Sequence, residues 1–380
     1  MKLGYGVLVA GAGIWGCTIA RRLAEAGKRV LVLEKRPVVG GNVRCEIDSA
    51  TGIEIHTYGS HIFHTQIPEV WAWINRFVSF NGYQHKVIAR HNGRDYFLPL
   101  GLTLVNKFFG IELKPSEVTA FMADETHSKA IFDAFFRNYT SKQWGRPPEE
   151  IDPSIIKRVP VRNSYDINYF KDYWQGIPTE GYNALFEKML AHPNIKVLCN
   201  CEFGIDEGGV KVEGEGEQRI NAFFMSSSSR RLPIYYSGPI DALFNYKFGA
   251  LPWRTLRFET ERRPVADAQG TSVVNYVDAD VPFTRQHEFK HYHPEPIGPL
   301  SQAESIKCGK ETILMREYSA TWKLGDEPYY PVNNDESAML LKKYQDEAAK
   351  IPNLVIGGRL GQYKYFDMDK SVAAALEVKI

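Results

Sequence analysis

Three glycines near the start of the chain have the spacing of a nucleotide-binding turn. Gly11, Gly13 and Gly16 follow the apolar run YGVLVA and precede the helical pattern CTIARRLAEAG. In such a turn the first glycine permits a tight bend, the second lets a pyrophosphate approach the backbone, and the third lets helix and strand pack closely. The helix N-terminus then presents free N–H groups and a partial positive charge to the phosphates. The pattern predicts a dinucleotide site.

An acidic residue stands where the ribose of that dinucleotide would lie. Glu34 ends the next apolar run, RVLVLE, 18 positions after Gly16, and its carboxylate can accept hydrogen bonds from the ribose hydroxyls. A second glycine turn, Gly40, Gly41 and Asn42, follows directly. Many FAD enzymes have such a turn at this point, whereas NAD-only dehydrogenases seldom do. FAD is therefore the predicted cofactor.

The segment YGSHIFHT places two histidines, His61 and His64, three positions apart. A metal site generally needs three or four ligands with supporting partners, and no companion cluster with ligand spacing appears in the sequence. The histidines of HYH at 291–293 fall in a different predicted segment, so we predict no metal. We also find no nucleophile elbow, no HExxH and no Ser/His/Asp set.

Composition excludes several classes of function. The chain has 380 residues, of which 44% are hydrophobic, and a net charge of +1. A nucleic-acid-binding protein usually has a basic excess or stripe, so no nucleic-acid partner is predicted. No run approaches the roughly 18 apolar residues of a spanning helix, and no membrane partner is predicted. Five cysteines without a CxxC pair indicate reduced thiols and a cytoplasmic protein.

The elements that must position these residues read as an α/β fold. The glycine turn joins two apolar runs in a βαβ unit, residues 102–150 have helical periodicity, and KVIARHNGRDYFLP predicts a hairpin turning at Asn92 and Gly93. We predict a Rossmann-like FAD-binding domain with an inserted small helical subdomain and an antiparallel β-sheet domain for the substrate. Their expected ranges are 1–85, 186–242 and 351–380 for the FAD-binding domain, 100–165 for the helical subdomain, and 86–99, 166–185 and 243–350 for the sheet domain.

Longer motifs resemble those of one family, the bacterial FAD-dependent UDP-galactopyranose mutases. They occur in the family's order and include GAGIWG, GGN, YGSHIFHT, YTSKQWG, KRVPVR, DINYF, YSGPID, NYVDADVPFTR, MREYS, DEPYYP and GGRLGQYKYFDMD. The resemblance implies interconversion of UDP-galactopyranose and UDP-galactofuranose, a precursor of cell-surface glycans. It implies that N5 of reduced FAD attacks the anomeric carbon to form an adduct while UDP leaves, without net redox change. It further implies NAD(P)H as the reductant and a homodimer.

Two arginines in the matching motifs are the catalytic residues that the resemblance implies. Arg158 lies in KRVPVR, on a loop expected to close over the substrate, and Arg285 lies in VPFTR, on the sheet. The leaving diphosphate develops negative charge, and the planar guanidinium suits phosphate oxygens. A surface salt bridge is the alternative for either arginine.

The same resemblance supplies the remaining site residues. Tyr139 and Trp144 are expected to bind uridine, and three tyrosines are expected to hydrogen-bond the diphosphate, although buried aromatic residues also serve as core. The implied substrate-binding residues are Phe135, Tyr139, Thr140, Trp144, Tyr169, Asn275, Tyr318, Tyr365 and His85. The cofactor-binding residues, fingerprint included, are Gly11, Gly13, Ile14, Gly16, Glu34, Lys35, Gly41, Asn42, His61, Ile62, Arg359, Asp367 and Met368.

The YGSHIFHT loop is expected to lie along the flavin ring, with His61 near the ring and His64 packed behind it. Ser60 stands where the family usually has proline, and loss of the fixed φ is expected to loosen this loop. The segment between Glu117 and Phe132 is shorter than its family counterpart, which bears on the dimer. These departures leave related substrates open: UDP-N-acetylgalactosamine, UDP-arabinopyranose or dTDP-fucose. The alternative classes are an amine-oxidase-type flavin oxidoreductase and a non-catalytic flavin- or nucleotide-sugar-binding protein.

Overall fold

The computed structural model describes residues 5–147, 150, 161–206, 209–214, 232–293 and 309–380. The strands of these ranges are, in chain order, β1 (Val7–Ala10), β2 (Val30–Leu33), β3 (Cys45–Ile47), β4 (Glu54–His56), β5 (Phe63–Thr65), β6 (Val87–His91), β7 (Arg94–Leu98), β8 (Trp174–Gly176), β9 (Ile195–Leu198), β10 (Cys201–Asp206), β11 (Gly209–Gly214), β12 (Ile234–Tyr236), β13 (Trp253–Arg263), β14 (Val273–Tyr276), β15 (Arg285–Glu288), β16 (Thr312–Thr321), β17 (Tyr330–Pro331) and β18 (Leu354–Ile356).

The helices of the same ranges are, in chain order, α1 (Ile14–Glu25), α2 (Pro68–Ile74), α3 (Leu102–Phe109), α4 (Val118–Ala123), α5 (Glu125–Ile131), α6 (Asn138–Trp144), α7 (Gly181–Leu190), α8 (Ile240–Leu243), α9 (Asp335–Ala348), α10 (Gly358–Gly361) and α11 (Met368–Glu377). A π-helical turn, Phe132–Arg137, joins α5 to α6. None of the helices in the described part of the chain combines the length and the apolar character needed to cross a lipid bilayer.

A five-stranded parallel sheet with the order β18-β12-β1-β2-β9 holds the glycine turn. Its central strands are short continuous apolar runs because both faces of the sheet are covered. Val7 and Val9 of β1 belong to the core beneath α1, α7 and α11, whereas Leu8 and Ala10 pack toward α8, α9 and the β10–β11 hairpin. The predicted Rossmann-like arrangement of a buried strand, glycine turn and helix is confirmed.

A seven-stranded sheet with the order β17-β13-β16-β15-β14-β6-β7 forms the second large sheet. The prediction of an antiparallel sheet is right for five of its six strand pairs, but β14 runs parallel to β6. A parallel pair needs a long connection, and about 180 residues separate these two strands in sequence. The predicted hairpin joins β6 to β7, and its turn residues Asn92 and Gly93 have φ values of 49° and 71°.

The helices α3 to α6 follow β7 and form a small aromatic core of their own. Phe135 in the π-helical turn is 3% exposed and packs edge-on against Tyr96 and Phe108, at ring-centroid distances of 5.0 Å and 5.3 Å. The helix α6 then runs from this core to the second sheet, where Lys142 donates hydrogen bonds to the carbonyl oxygens of Tyr276 and Val281. The helical pattern read between residues 102 and 150 corresponds to these elements.

Candidate active site

Two cavities adjoin where the two large sheets meet. The first, of about 570 Å³, lies along the glycine turn, and we call it the glycine-turn cavity. The second, of about 700 Å³, lies against the seven-stranded sheet beside Arg285, and we call it the arginine cavity. They have five wall residues in common, which are Asn42, His61, Trp253, Arg359 and Met368. A ligand extending from one cavity would therefore contact a ligand in the other.

The glycine turn leaves no room for a side chain at Gly11 or Gly16. Gly11 has a φ of +101°, and a Cβ there would lie 2.3 Å from Ser237 Oγ. A Cβ on Gly16 would lie 1.9 Å from the carbonyl oxygen of Gly11, so helix α1 can approach strand β1 only through glycine. The second turn packs on the first, since a Cβ on Gly41 would lie 2.9 Å from Gly13 Cα. Backbone therefore lines this end of the cavity, as the pyrophosphate of a dinucleotide requires.

Glu34 lies at the end of β2 with its carboxylate fixed in the cavity wall. The side chain is 5% exposed, and its oxygens accept hydrogen bonds from the backbone N–H groups of Ala12, at 2.7 Å, and Arg36, at 3.0 Å. Carboxylate oxygens have further lone pairs for ribose hydroxyls. The glycine cradle, the N-terminus of α1 and this carboxylate together fit a dinucleotide cofactor such as FAD.

Arg36 is a wall residue of the glycine-turn cavity that sequence reasoning missed. Its guanidinium lies 4.4 Å over the ring of Tyr58 and donates hydrogen bonds to Asn42 Oδ1, at 2.8 Å, and Glu327, at 2.6 Å. The sequence feature that could have indicated Arg36 is its position directly after Glu34 and Lys35. Lys35 is one of the predicted cofactor-binding residues, and it also lines the cavity, but its side chain is exposed.

His61 lies in the wall common to both cavities. Its backbone N–H donates to His56 Nδ1 at 2.9 Å, and the preceding Gly59 has a φ of +92°. Burial, together with nearby positive charge, lowers the pKa of His61 to about 3, so the imidazole is neutral at neutral pH. Because Nδ1 of His56 accepts a hydrogen bond, the proton of the neutral His56 ring is on Nε2, which faces Glu54 at 3.8 Å.

Cys45, Glu54 and His56 form a buried group whose potential ligand atoms are close enough to surround a cation. Glu54 also accepts hydrogen bonds from Tyr182 N, at 2.9 Å, and His293 Nε2, at 3.0 Å. Burial raises the pKa of Glu54, but the hydrogen bond from His293 and the neighbouring His56 outweigh it and lower that pKa to about 2. A protonated Nε2 on His56 offers no lone pair to a metal. The group therefore reads as a hydrogen-bonded support behind the His61 loop.

Arg285 begins β15 and is held by two partners at the wall of the arginine cavity. Its Nε donates to Tyr139 Oη at 2.8 Å, and its NH1 lies 3.4 Å from Glu317 Oε1. Glu317 is 3% exposed. Burial opposes its ionisation, but the charge of Arg285 and the hydrogen bond from His287 lower the pKa of Glu317 to about 2. A fixed anion thus orients the guanidinium toward the cavity.

Ser60 is hydrogen bonded on two sides. Its Oγ lies 2.6 Å from His287 Nδ1 and accepts a hydrogen bond from Tyr292 Oη at 2.7 Å. His287 in turn contacts Glu317 through Nε2 at 3.2 Å. The expectation that serine at this position loosens the loop is wrong, because these hydrogen bonds tie the loop to β15 and to the Phe289–Tyr292 turn.

Most of the site residues predicted from the sequence line the two cavities. The arginine cavity is lined by Trp144, Tyr169, Asn275, Tyr365, His85, Arg285, His61, Ile62, Arg359, Asp367 and Met368. The glycine-turn cavity is lined by Gly11, Gly13, Ile14, Glu34, Lys35, Gly41 and Asn42. The amide Oδ1 of Asn275 is buried without a hydrogen-bond partner in the described part of the chain, which suits a polar ligand.

Five of the predicted site residues lie away from the cavity walls as described, including Tyr139, which contacts Arg285 from behind the wall, and one lies outside the described residues. Phe135 belongs to the helical core, Gly16 packs beneath the turn, and Thr140 is absent from both described walls. The Tyr318 hydroxyl donates to Glu259 at 2.6 Å, on the outer side of β16. Arg158 lies in the range 151–160, outside the described residues.

Tyr330 and Arg254 also line the arginine cavity, although they are not among the site residues predicted from the sequence. Tyr330 lies in DEPYYP, a motif already noted in the sequence, so it could have been selected. Arg254 lies in none of the motifs noted in the sequence. Its position in the cavity wall is fixed by hydrogen bonds to Gln143 O at 2.9 Å and Thr321 Oγ1 at 3.0 Å. Such contacts between distant segments are not visible in the sequence.

His85 gives a stability prediction for the protein without cofactor. The residue is 5% exposed, and burial with the nearby charge of Arg285 lowers its pKa to about 3. The pKa of this histidine is lower in the folded protein than in the unfolded protein, where it is about 6.5. The folded protein therefore keeps its full stability above about pH 6.5 and loses stability as the pH falls toward the folded-state pKa. We expect His85→Asn to reduce the loss of stability between about pH 7 and pH 5, by at most about 1.4 kcal/mol per pH unit.

Thermal unfolding of both proteins, followed by tryptophan fluorescence across this pH range, checks the expectation. His192→Asn is the matched control, since it changes a histidine outside both cavity walls. An identical pH dependence in the wild-type and His85→Asn proteins would contradict a neutral buried His85.

The parallel sheet, the glycine turn and the carboxylate at the end of β2 define a protein of the Rossmann-like dinucleotide-binding class. A sequence pattern for NAD(P)-binding Rossmann-like domains matches residues 9–77, and the pattern of the UDP-galactopyranose mutase family matches residues 134–365. The chain belongs to the UDP-galactopyranose mutase family, and it is an isomerase of that type.

Individual relatives match this chain over nearly their full length. A dTDP-fucopyranose mutase of Escherichia coli is 36% identical over 388 residues, covering 98% of this chain and 96% of the relative. A UDP-galactopyranose mutase of Mycoplasma pneumoniae is 33% identical over 398 residues, covering 98% and 94%. The crystal structure of a reduced UDP-galactopyranose mutase is similar in fold, with a TM-score of 0.70, 17% identity, and coverage of 98% and 94%.

Proposed function

We propose that the protein interconverts the pyranose and furanose forms of a nucleotide hexose, UDP-galactose first, with reduced FAD as its cofactor. The observation that supports this most is the position of Arg285. Tyr139 and the buried Glu317 hold its guanidinium at the wall of a cavity of about 700 Å³ that adjoins the glycine-turn cavity. A fixed cation there would stabilise the diphosphate as it leaves the anomeric carbon.

The cofactor would be held by the residues of the glycine-turn cavity. The backbone at Gly11 and Gly13 and the N-terminus of α1 would bind the pyrophosphate, and Glu34 would bind the ribose. The reduced flavin, when bound, supplies a nucleophile for the anomeric carbon. Protein groups then bind and orient the substrate: Arg285 with Tyr365 and Tyr169 on the diphosphate, and Trp144 with Tyr139 on the base. Arg158 is proposed as a second cation for the diphosphate.

We propose a division into three parts, in which the boundaries at 185/186 and 242/243 fall inside α7 and α8. Residues 1–85, 186–242 and 351–380 would form the FAD-binding domain, 100–165 the helical subdomain, and 86–99, 166–185 and 243–350 the substrate domain. We further propose NAD(P)H as the reductant, a cytoplasmic location, a homodimer, and a product used for cell-surface glycans. Analytical ultracentrifugation with and without FAD tests the homodimer.

Two nucleotide sugars are candidate substrates. A dTDP-fucopyranose mutase and a UDP-galactopyranose mutase have similar sequence identity to this chain. The enzyme loaded with FAD and reduced with dithionite should be incubated separately with UDP-galactose and dTDP-fucose. We expect a furanose product, separated by chromatography, with many turnovers for each equivalent of reductant. Reductant or oxygen consumed in proportion to product would indicate an oxidoreductase instead, and no furanose from either sugar would contradict the proposal.

A further inference from the structure

His64 is the second histidine of YGSHIFHT, and its position differs from the expected packing behind the loop. It lies on β5, whose backbone pairs with β8 so that His64 is opposite Gln175. Its ring stacks on Phe170, with centroids 3.7 Å apart and planes at 14°. The side chain is 14% exposed and lines the arginine cavity with His85 and Tyr169. The histidine is thus held rigidly in a cavity wall rather than behind one.

Asp172 fixes which nitrogen of His64 faces the cavity. The Nδ1 atom of His64 lies 2.5 Å from Asp172 Oδ2. A carboxylate accepts, so Nδ1 carries the proton and Nε2 keeps a lone pair. No group in the described ranges is hydrogen bonded to that Nε2. A histidine oriented by a carboxylate can take up a proton on its free nitrogen, and the carboxylate stabilises the resulting imidazolium.

The other cavity histidines lack this arrangement. His85 contacts the Tyr83 hydroxyl through Nδ1 at 3.1 Å and is more deeply buried. His61 has no hydrogen-bond partner on its buried Nδ1 in the described part of the chain. Burial lowers the pKa of each of these two to about 3, so neither takes up a proton readily near neutral pH. Of the three, His64 alone has a carboxylate within hydrogen-bonding distance.

The isomerisation proposed above requires one proton to move within the sugar. The bond from C1 to the ring oxygen breaks, a bond from C1 to the hydroxyl oxygen on C4 forms, and a proton moves from the second oxygen to the first. Resting on that proposed function, we propose that His64 Nε2 is the group that removes this proton and returns it to the former ring oxygen. Asp172 is then a positioning residue, which holds the imidazole in the required tautomer.

The test separates proton transfer on the sugar from departure of the diphosphate. The substrate is labelled with 18O at the oxygen that joins C1 to the diphosphate. Exchange of that label into the non-bridging positions reports cleavage and return of the C1–O bond, and it needs no proton from a sugar hydroxyl. We expect His64→Gln to lower furanose formation at least about 100-fold, while label exchange stays within about threefold of the wild-type rate.

A matched control is His127, which stacks on Phe121 with centroids 3.7 Å apart, near Asp124, but outside both cavity walls. His127→Gln should leave both rates unchanged. Furanose formation by His64→Gln within tenfold of wild type, or an equal loss of both rates, would overturn the proposal. If the wild-type enzyme exchanges label without forming furanose, the proposed function itself fails and not the assignment of His64.

Asp172→Asn tests the positioning role without relying on turnover. In protein labelled with 15N in its histidines and free of cofactor, neutral His64 should show a protonated Nδ1 and an unprotonated Nε2. Asp172→Asn should shift the ring toward the tautomer protonated on Nε2, because the amide no longer requires a donor. An Nε2-protonated tautomer in the wild-type protein would overturn the proposal.

Discussion

Replacing Arg285 with alanine should lower turnover at least about 100-fold, the effect typical of losing one strong donor to developing charge. The guanidinium is fixed by Tyr139 at 2.8 Å and by Glu317 at 3.4 Å, so little reorganisation is needed as the diphosphate leaves. Rates of furanose formation at saturating substrate measure the effect. Arg285→Lys should recover part of the rate, because lysine keeps the charge but lacks the planar fork.

The same substitution should also destabilise the fold, since it leaves the buried Glu317 carboxylate without its cation. Removing one partner of a buried ion pair lowers the free energy of unfolding by about 3 kcal/mol. The double variant Arg285→Ala/Glu317→Gln should recover stability in thermal unfolding without recovering turnover. A single variant with near-normal turnover would remove Arg285 from the mechanism. A double variant that regained turnover would show that the single variant had failed through misfolding.

Gly16→Ala should abolish cofactor binding. A Cβ at this position would lie 1.9 Å from the carbonyl oxygen of Gly11, so α1 would have to move away from β1. Such overpacking typically costs about 1–3 kcal/mol, and here it would also displace the helix N-terminus that faces the pyrophosphate. The flavin-to-protein ratio after purification, measured by absorbance, and the thermal midpoint of the protein without cofactor both check this.

Gly27→Ala is the matched control for the glycine substitution. Gly27 has a φ of +80°, and nothing lies within 4 Å of a Cβ added there. Its replacement introduces backbone strain of about 1–2 kcal/mol without a clash near the cofactor. We expect a modest loss of stability with full flavin content. Full flavin content in Gly16→Ala would instead contradict the close packing of helix and strand.

The cofactor-binding half of the molecule could be predicted because its signals are local. The spacing of Gly11, Gly13 and Gly16 and the carboxylate at Glu34 follow from one strand, one turn and one helix. The side chain excluded at Gly16 would meet the carbonyl oxygen of Gly11, which is only five positions away. The hairpin at Asn92 was predictable for the same reason.

The substrate side could be predicted only in part, because its contacts join distant segments. The His64 and Asp172 side chains are 108 positions apart, and Ser60 and His287 are 227 apart. The pairing of β14 with β6 likewise depends on the whole connection between them. Residue type alone could not place the Tyr318 hydroxyl on Glu259 rather than in the cavity.

The two hydrogen bonds of Ser60 make positions 60, 287 and 292 interdependent. A proline at position 60 would leave His287 Nδ1 and the Tyr292 hydroxyl without the partner that each has now. Proline at this position would thus be harmful in this chain unless the histidine and the tyrosine changed as well. The loop beside the arginine cavity is a case of epistasis, in which the acceptable residue at one position is set by residues more than 200 positions away.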